Sequence, residues 1–346
     1  MRSLLMAALL AAAALPARAQ STATLRGVDV YRSAVLTSAS ARRLFGRQLH
    51  EIVMLRNLRR ADSDRKAEEL TLATAREAAA LPGVAWADLS VRDYYTAADH
   101  AMYAVFDVVD AADASRLAFS PAPKGPRADP GGLLAAWRRF SDLGSSLAQS
   151  GRLSVDRPSC PGFYCLWGGT PELDALQKTF VEGAAARGGG LRRVLREDAD
   201  GGDRADALFV LSYSTSGREV VSLCRAGLSD PDARVRGAAL QILADVAIHH
   251  RELPIALEAV LPRLDDPSSS VRGKAMGLLV PLSDRDAYRQ VMLSSAPRLA
   301  ELMKLSYPES RDLAYTLLRI LSKQDWDRTA SSAWEAWAAR AAAGKP

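Results

Sequence analysis

The sequence predicts an α+β protein in which a small N-terminal domain with the element order β-α-α-β-β precedes an all-α array of helical repeats. Two patterns carry the prediction: strand-like alternation confined to residues 24–110, and a repeated phrase that fills the chain from residue 191 onward. Composition agrees, because aromatic residues make up only 6% of the 346-residue chain and alanine is abundant. The charged fraction of 25% is that of a soluble globular protein.

The N-terminus has the pattern of an export signal. A basic residue at position 2 precedes an apolar run at residues 4–15, and residues 17–19 read Ala-Arg-Ala, a small-x-small cleavage site. The apolar run is too short for a membrane-spanning helix, which needs about 20 residues. We therefore predict a signal peptide at residues 1–19, cleavage between Ala19 and Gln20, and a periplasmic or secreted bacterial protein without a transmembrane segment in the mature chain.

Three segments in the predicted N-terminal domain, residues 20–115, read as β-strands. They alternate in polarity or carry β-branched residues, and they are residues 24–31, 84–95 and 101–110. Between the first two, a helical region begins at a capping residue, Thr37 or Ser38, and ends at the helix-breaking Pro82-Gly83. Its basic cluster at 56–66 is interleaved with acidic residues, which indicates a solvated helix face or, alternatively, a surface for an anionic partner.

This element order, with the phrase LPGVAWADLSV after the helices and YAVFDVVD in the last strand, resembles the POTRA domain of envelope proteins over residues 22–112. The resemblance implies a small sheet, completed by the final strand, with two helices. An edge of such a sheet could accept an extended peptide as an added strand. A generic α+β domain is the alternative.

The middle of the chain divides into a linker and a helical region. Residues 116–131 contain four prolines and two glycines, which predicts a linker or an ordered strap. Residues 132–190 have helical periodicity on both sides of a rigid loop at 158–171. Three consecutive glycines, Gly188 to Gly190, predict a break before the repeats.

The repeats are the strongest signal in the sequence. The segment LSDPDARVRGAALQILADV at 228–246 recurs as LDDPSSSVRGKAMGLLVPL at 264–282, and further copies lie at 305–321 and 196–211. The shared aspartate-proline, valine-arginine and alanine positions resemble HEAT repeats, which implies a solenoid of paired helices over residues 191–325. Trp334 and Trp337 in the tail, residues 326–346, are expected to cover the open end of the array.

Aspartate and arginine recur at the turn into the second helix of each repeat. Each aspartate stands six residues before an arginine, and the pairs are Asp198 and Arg204, Asp230 and Arg236, and Asp266 and Arg272. Arg311 continues the arginine series, but Leu305 stands where its aspartate is expected. In the HEAT family, turn aspartates meet helix arginines, so the resemblance implies an aspartate–arginine ladder. Solvated charges at turn positions are the alternative.

The cysteines and histidines offer few candidate residues for a metal site or a catalytic site. Cys160 and Cys165 flank a Pro-Gly turn, and in an exported chain we predict a disulfide between them, with free thiols or a metal or catalytic site as alternatives. A zinc site would need two further ligands. Cys224 reads as a buried hydrophobe, and His249 and His250 read as cations at a helix C-terminus.

The function predicted from these features is a non-enzymatic interaction scaffold of the cell envelope that binds a protein partner through the solenoid and the N-terminal sheet edge. The chain carries 45 basic and 40 acidic residues, too small an excess to indicate nucleic acid. No nucleophile elbow, phosphate-binding loop or metal motif occurs, so we predict no cofactor. The alternative is an enzyme or enzyme inhibitor with a site around residues 160–167.

Overall fold

A computed structural model describes residues 22–96, 99–153, 158–214 and 216–344. The predicted signal peptide, residues 1–19, lies outside the described residues. The predicted fold class is confirmed, because a three-stranded sheet with two helices precedes a mainly helical region.

The N-terminal elements follow the predicted order, and their predicted strand boundaries are met to within one residue. They are β1 (Thr24–Val30), α1 (Ser38–Asn57), α2 (Ala61–Ala79), β2 (Val84–Tyr95) and β3 (His100–Asp110). The strand order is β1-β3-β2, with β1 parallel and β2 antiparallel to the central β3. Thr37 caps α1 by accepting a hydrogen bond from the Ser40 amide, as its residue type favours.

The two faces of the sheet cover different surfaces. Alternate strand residues point to opposite faces, so Val28 and Phe106 join the core beneath α1 and α2 while Asp29 and Asp107 point the other way. Both aspartates are buried, because this second face packs on the helical region. Helical periodicity places Leu44 next to Phe45 on α1, but Leu44 is 54% exposed while Phe45 is buried.

The chain then crosses to the helical region through a segment that we call the strap, residues 116–131. After it come α3 (Leu133–Gln149) and α4 (Pro171–Glu197). The predicted break at Gly188 to Gly190 is wrong, since α4 continues through all three glycines. A Cβ at Gly190 would lie 3.1 Å from the side chain of Pro130 in the strap, so close tertiary packing outweighs the low helix propensity of glycine.

The remaining helices form a solenoid. They are α5 (Gly201–Leu211), α6 (Gly217–Gly227), α7 (Ala233–His249), α8 (Leu257–Val260), α9 (Ser269–Leu282), α10 (Asp286–Met292), α11 (Ala296–Leu302), α12 (Pro308–Ser322) and α13 (Ser331–Ala342). Short 3-10 helices lie at Ala111–Leu117, Pro130–Gly132, Leu261–Asp265 and Leu293–Ser295. Helices α5, α7, α9 and α12 pack against one another in that order. Trp334 and Trp337 of α13 are buried in the same core, at its C-terminal end.

None of the helices in the described ranges combines the length and the apolarity that crossing a bilayer requires.

Candidate functional site

Three buried arginines at the starts of consecutive repeat helices each bind a carboxylate. We call these three ion pairs the ladder. They are Arg204 with Asp230, Arg236 with Asp266, and Arg272 with Asp107, at closest N···O distances of 2.6, 2.8 and 2.9 Å. In the first two pairs, the aspartate belongs to the next repeat along the chain, and both guanidinium nitrogens that face it donate to it.

Each ladder arginine also donates hydrogen bonds to the turn that precedes its own helix. Nη1 of Arg236 donates to the carbonyls of Asp230 and Pro231 at 2.8 and 3.0 Å. Arg272 does the same to Asp266 and Pro267, both at 2.8 Å. The five fixed donors of a guanidinium therefore join a turn to a carboxylate outside it.

The aspartate of the third pair comes from the N-terminal sheet. Asp107 of β3 accepts from Arg272 at 2.9 Å and, through its other oxygen, from the amide and hydroxyl of Ser269 at 2.8 and 2.9 Å. Periodicity places Leu305 where the repeat aspartate would be, so the next repeat offers Arg272 no carboxylate at that position. The sheet thus supplies the carboxylate that the last repeat lacks.

A second sheet residue accepts the backbone hydrogen bond that the missing aspartate would accept. In each complete repeat, the aspartate also accepts from the backbone amide two residues later, as Asp266 does from Ser268 at 3.0 Å. Two residues after Leu305, the amide of Tyr307 donates instead to Asp29 of β1 at 2.7 Å. Asp29 also accepts from the Ser306 amide at 2.8 Å. In place of one repeat aspartate, Asp107 therefore pairs with the ladder arginine and Asp29 accepts from the turn amide.

The prediction that Arg311 belongs to the ladder is wrong. It has the expected position at the start of α12, but its only turn contact is with the Ser306 carbonyl at 3.5 Å. Its guanidinium pairs with the adjacent, exposed Asp312 and stays partly exposed. Among the described residues that follow α12, no carboxylate pairs with Arg311, so the burial seen at Arg272 is not reproduced.

The strap and Tyr31, the residue after β1, cover the ladder. The ring of Phe119 lies 3.9 Å from the Arg236 guanidinium carbon, and that of Tyr31 lies 4.4 Å from the Arg272 carbon. At the other end, Asp198 accepts from the backbone amide of Arg127 at 2.7 Å. These contacts exclude water from the ladder and show the predicted linker as an ordered strap over it.

The pKa shifts of Arg204 and of Tyr31 follow from burial and from their neighbours within the chain. Burial alone would lower the pKa of Arg204, but the hydrogen bonds and charge of Asp230 outweigh it and raise that pKa. Burial and the nearby Asp265 raise the pKa of Tyr31, which keeps this phenol neutral beside Arg272. Within the described residues, none of the ladder side chains is among the buried polar groups that lack a hydrogen bond, so the ladder serves internal packing.

An open groove lies elsewhere on the N-terminal domain, next to Gln149 of α3. It has a volume of about 960 Å³ and runs between α2 and the edge strand β2. Apolar side chains of Leu72, Leu89 and Val91 line it beside charged ones. Arg56 donates to the Val91 carbonyl and to Asp93, so part of the basic cluster is fixed at the groove and is not simply solvated.

The predicted disulfide joins Cys160 and Cys165, whose Cα atoms lie 4.3 Å apart, and Cys224 is free and buried. Burial raises the pKa of the Cys224 thiol, which keeps it protonated and unreactive. The loop packs on the solenoid, where the amide of Cys165 donates to Asp245 of α7 at 2.7 Å. This brings both sulfurs close to His249, at the end of the same helix.

Sequence reasoning missed Asp29, Asp107 and His249 because each depends on contacts between distant segments. One signal was present for Asp107: Arg272 keeps the ladder pattern while Leu305 lacks the aspartate, so a buried arginine needs a carboxylate from elsewhere. No comparable signal pointed to His249, which is more than 80 residues from the cysteines in sequence.

Comparison with protein families matches residues 190–280 to HEAT repeats. The matched segment contains α5 to α8 and both ion pairs whose aspartates come from the solenoid. No comparison supports the POTRA resemblance of the N-terminal domain. The chain matches no curated protein and no solved structure. HEAT solenoids present extended surfaces that bind other proteins, so this part of the chain has the architecture of an interaction scaffold.

Proposed function

We propose that the protein is an exported, non-enzymatic interaction scaffold of the bacterial cell envelope. In this proposal, a POTRA-like N-terminal domain captures an extended segment of a partner protein as an added strand beside β2. The solenoid holds that domain in place and offers further binding surface. Nucleic acid is not an expected partner, because the mature chain after residue 19 would have 43 basic and 40 acidic residues.

The observation that carries this proposal is the position of β2. It is an edge strand of 12 residues, and among the residues that the structure describes its strand neighbour is β3 alone. The other edge strand, β1, contributes Asp29 to the contact with the solenoid. Edge strands bind extended peptides through main-chain hydrogen bonds, while neighbouring pockets select side chains. The apolar lining between α2 and β2 supports such selection.

Two exposed leucines provide a matched test of the groove. Leu72 lines it and is 48% exposed, whereas Leu44 lies on α1, away from its lining, and is 54% exposed. Leu72→Glu is expected to abolish capture of a partner from envelope extracts by the immobilised mature protein, because it places a charge in the apolar part of the groove. Leu44→Glu should leave capture unchanged.

Equal capture by both variants would contradict binding at the groove. Failure of the wild-type chain to retain any partner that resists high-salt washing would contradict the scaffold function itself. Circular dichroism of the variants checks that both remain folded, as expected for substitutions at exposed positions.

Export has its own test. The protein recovered from the periplasm or medium is expected to begin at Gln20 when its N-terminus is sequenced. A product that begins at Met1 and fractionates with the cytoplasm would contradict export.

A further inference from the structure

We propose that Cys160, Cys165 and His249 form a zinc site when the disulfide is reduced. The ligand atoms of these three residues, the two sulfurs and an imidazole nitrogen, all lie within 4.8 Å of one another. They belong to two elements, the 158–171 loop and the last turn of α7, which are far apart in sequence. This site is independent of the peptide groove and of the scaffold function.

Contacts other than the disulfide hold the cluster together. The amide of Phe163 donates to the carbonyl of Ser212 at 2.8 Å, and that of Cys165 donates to Asp245 at 2.7 Å. Asp245 lies one helical turn before His249 on α7, so the second bond fixes the loop next to the imidazole. The sulfurs and the imidazole should therefore stay adjacent after the disulfide is opened.

The set of donors and its geometry suit zinc. Thiolate and imidazole are typical Zn²⁺ ligands, with Zn–S near ~2.3 Å and Zn–N near ~2.0 Å in tetrahedral sites. Such bonds place ligand atoms about 3.5–3.8 Å apart, a separation that small side-chain rotations can reach from the observed cluster. Cys160 and His249 are exposed, so a reductant and a metal ion can approach, and water would fill the fourth position.

The chemistry balances with a dithiol reductant. The reductant transfers two electrons and two protons to the Cys160–Cys165 bond, giving two thiols, and becomes a disulfide itself. Binding of Zn²⁺ then releases two protons as both thiols become thiolate ligands. A disulfide oxidant reverses the outcome: it takes two electrons from the two thiolates, which re-form the Cys160–Cys165 bond and release Zn²⁺, and with two protons from solvent it becomes a dithiol. The loop would thus be closed by a disulfide or by zinc according to the redox state.

Metal titration of the mature, metal-free protein tests the proposal directly. After anaerobic treatment with a dithiol and removal of the excess, the chain should bind one Zn²⁺ in competition with a chromophoric chelator. The oxidised chain should bind none at this site. Substitution of Co²⁺ should give a thiolate-to-cobalt charge-transfer band and the intense visible bands of a tetrahedral site.

Adjacent histidines provide the matched control. His249→Ala should weaken zinc binding by more than the ~10–100-fold that loss of an outer-shell partner costs. His250→Ala should weaken binding far less, because that ring is absent from the cluster and touches the loop only by packing on Phe163. Equal affinities of the two variants, equal binding by oxidised and reduced chains, or loss of helical circular dichroism without zinc binding on reduction would each overturn the proposal.

Discussion

The first two ion pairs of the ladder and the third use the same arginine in the same turn, but they obtain their aspartates differently. Arg204 and Arg236 bind carboxylates of the following repeat, 26 and 30 residues away. Arg272 binds Asp107, which precedes it by 165 residues. The difference shows that the N-terminal sheet completes the solenoid as a further repeat would, by supplying a carboxylate at the place where the sequence pattern fails.

This arrangement also separates the surfaces of the molecule by role. The ladder face is covered by the strap and the sheet, so its charges serve internal packing. The groove beside β2 stays open elsewhere on the same domain, where Gln149 of α3 also lines it. By holding β1 and β3 through Asp29 and Asp107, the solenoid fixes the sheet whose other edge we propose as the binding site.

The largest expected effect comes from breaking a ladder pair inside the solenoid. Arg236→Ala should lower the free energy of unfolding by about 3 kcal/mol, because it leaves the fully buried Asp266 without its bidentate partner. The more distant Arg263, 3.4 Å from Asp266, would compensate only in part. Urea unfolding followed by circular dichroism measures this.

Arg234 is the control for that experiment, two residues earlier and exposed, with the partly buried Asp232 as its partner. Arg234→Ala should cost less than ~1 kcal/mol. Similar losses for the two arginines would contradict the difference in burial on which the ladder depends.

A somewhat smaller effect is expected from the pair between the sheet and the solenoid. Asp107→Asn should destabilise by about 2–3 kcal/mol, since it removes a charged acceptor from Arg272 while keeping the shape of the side chain. The same substitution at Asp88, which is opposite Asp107 in register and exposed, should change stability by less than ~0.5 kcal/mol. Thermal unfolding of both variants checks this, and an unstable Asp88→Asn variant would count against the specific role of Asp107.

The strap should contribute less than the ion pairs that it covers. Phe119→Leu is expected to cost about 1 kcal/mol, because leucine fills space but lacks the ring face that contacts the Arg236 guanidinium. Phe119→Tyr keeps the ring and should retain most of the stability in urea unfolding. If leucine were tolerated better than tyrosine, the cation–π contact would not be the contribution of this residue.

The smallest effect is expected at Arg311, which has the ladder position without a ladder partner. Arg311→Ala should change the free energy of unfolding by less than ~1 kcal/mol, because Arg311 is partly exposed and its partner Asp312 is exposed. A loss comparable to that of Arg236→Ala in the same urea assay would mean that the arginine position, and not the buried carboxylate, determines stability.

Prediction from the sequence succeeded where a local pattern determines the structure. Alternation located all three strands, and the phrase at 228–246 and 264–282 identified the HEAT repeats. It failed where close packing overrides local preference, as at Gly190, whose missing side chain makes room for Pro130. It made no prediction where the partners are far apart in sequence, because no spacing rule connects Asp107 to Arg272 or His249 to the cysteines.

A double-mutant cycle between Asp107 and Arg272 tests most directly whether the sheet completes the ladder. We predict that the double substitution Asp107→Asn and Arg272→Gln lowers the free energy of unfolding by at least ~1 kcal/mol less than the sum of the two single substitutions. The reason is that each single substitution leaves the other member of the same buried ion pair without its partner. The cycle between Asp230 and Arg204, within the solenoid, provides the reference value. Additivity of Asp107 and Arg272 within ~0.5 kcal/mol, with clear coupling in the reference pair, would contradict the account.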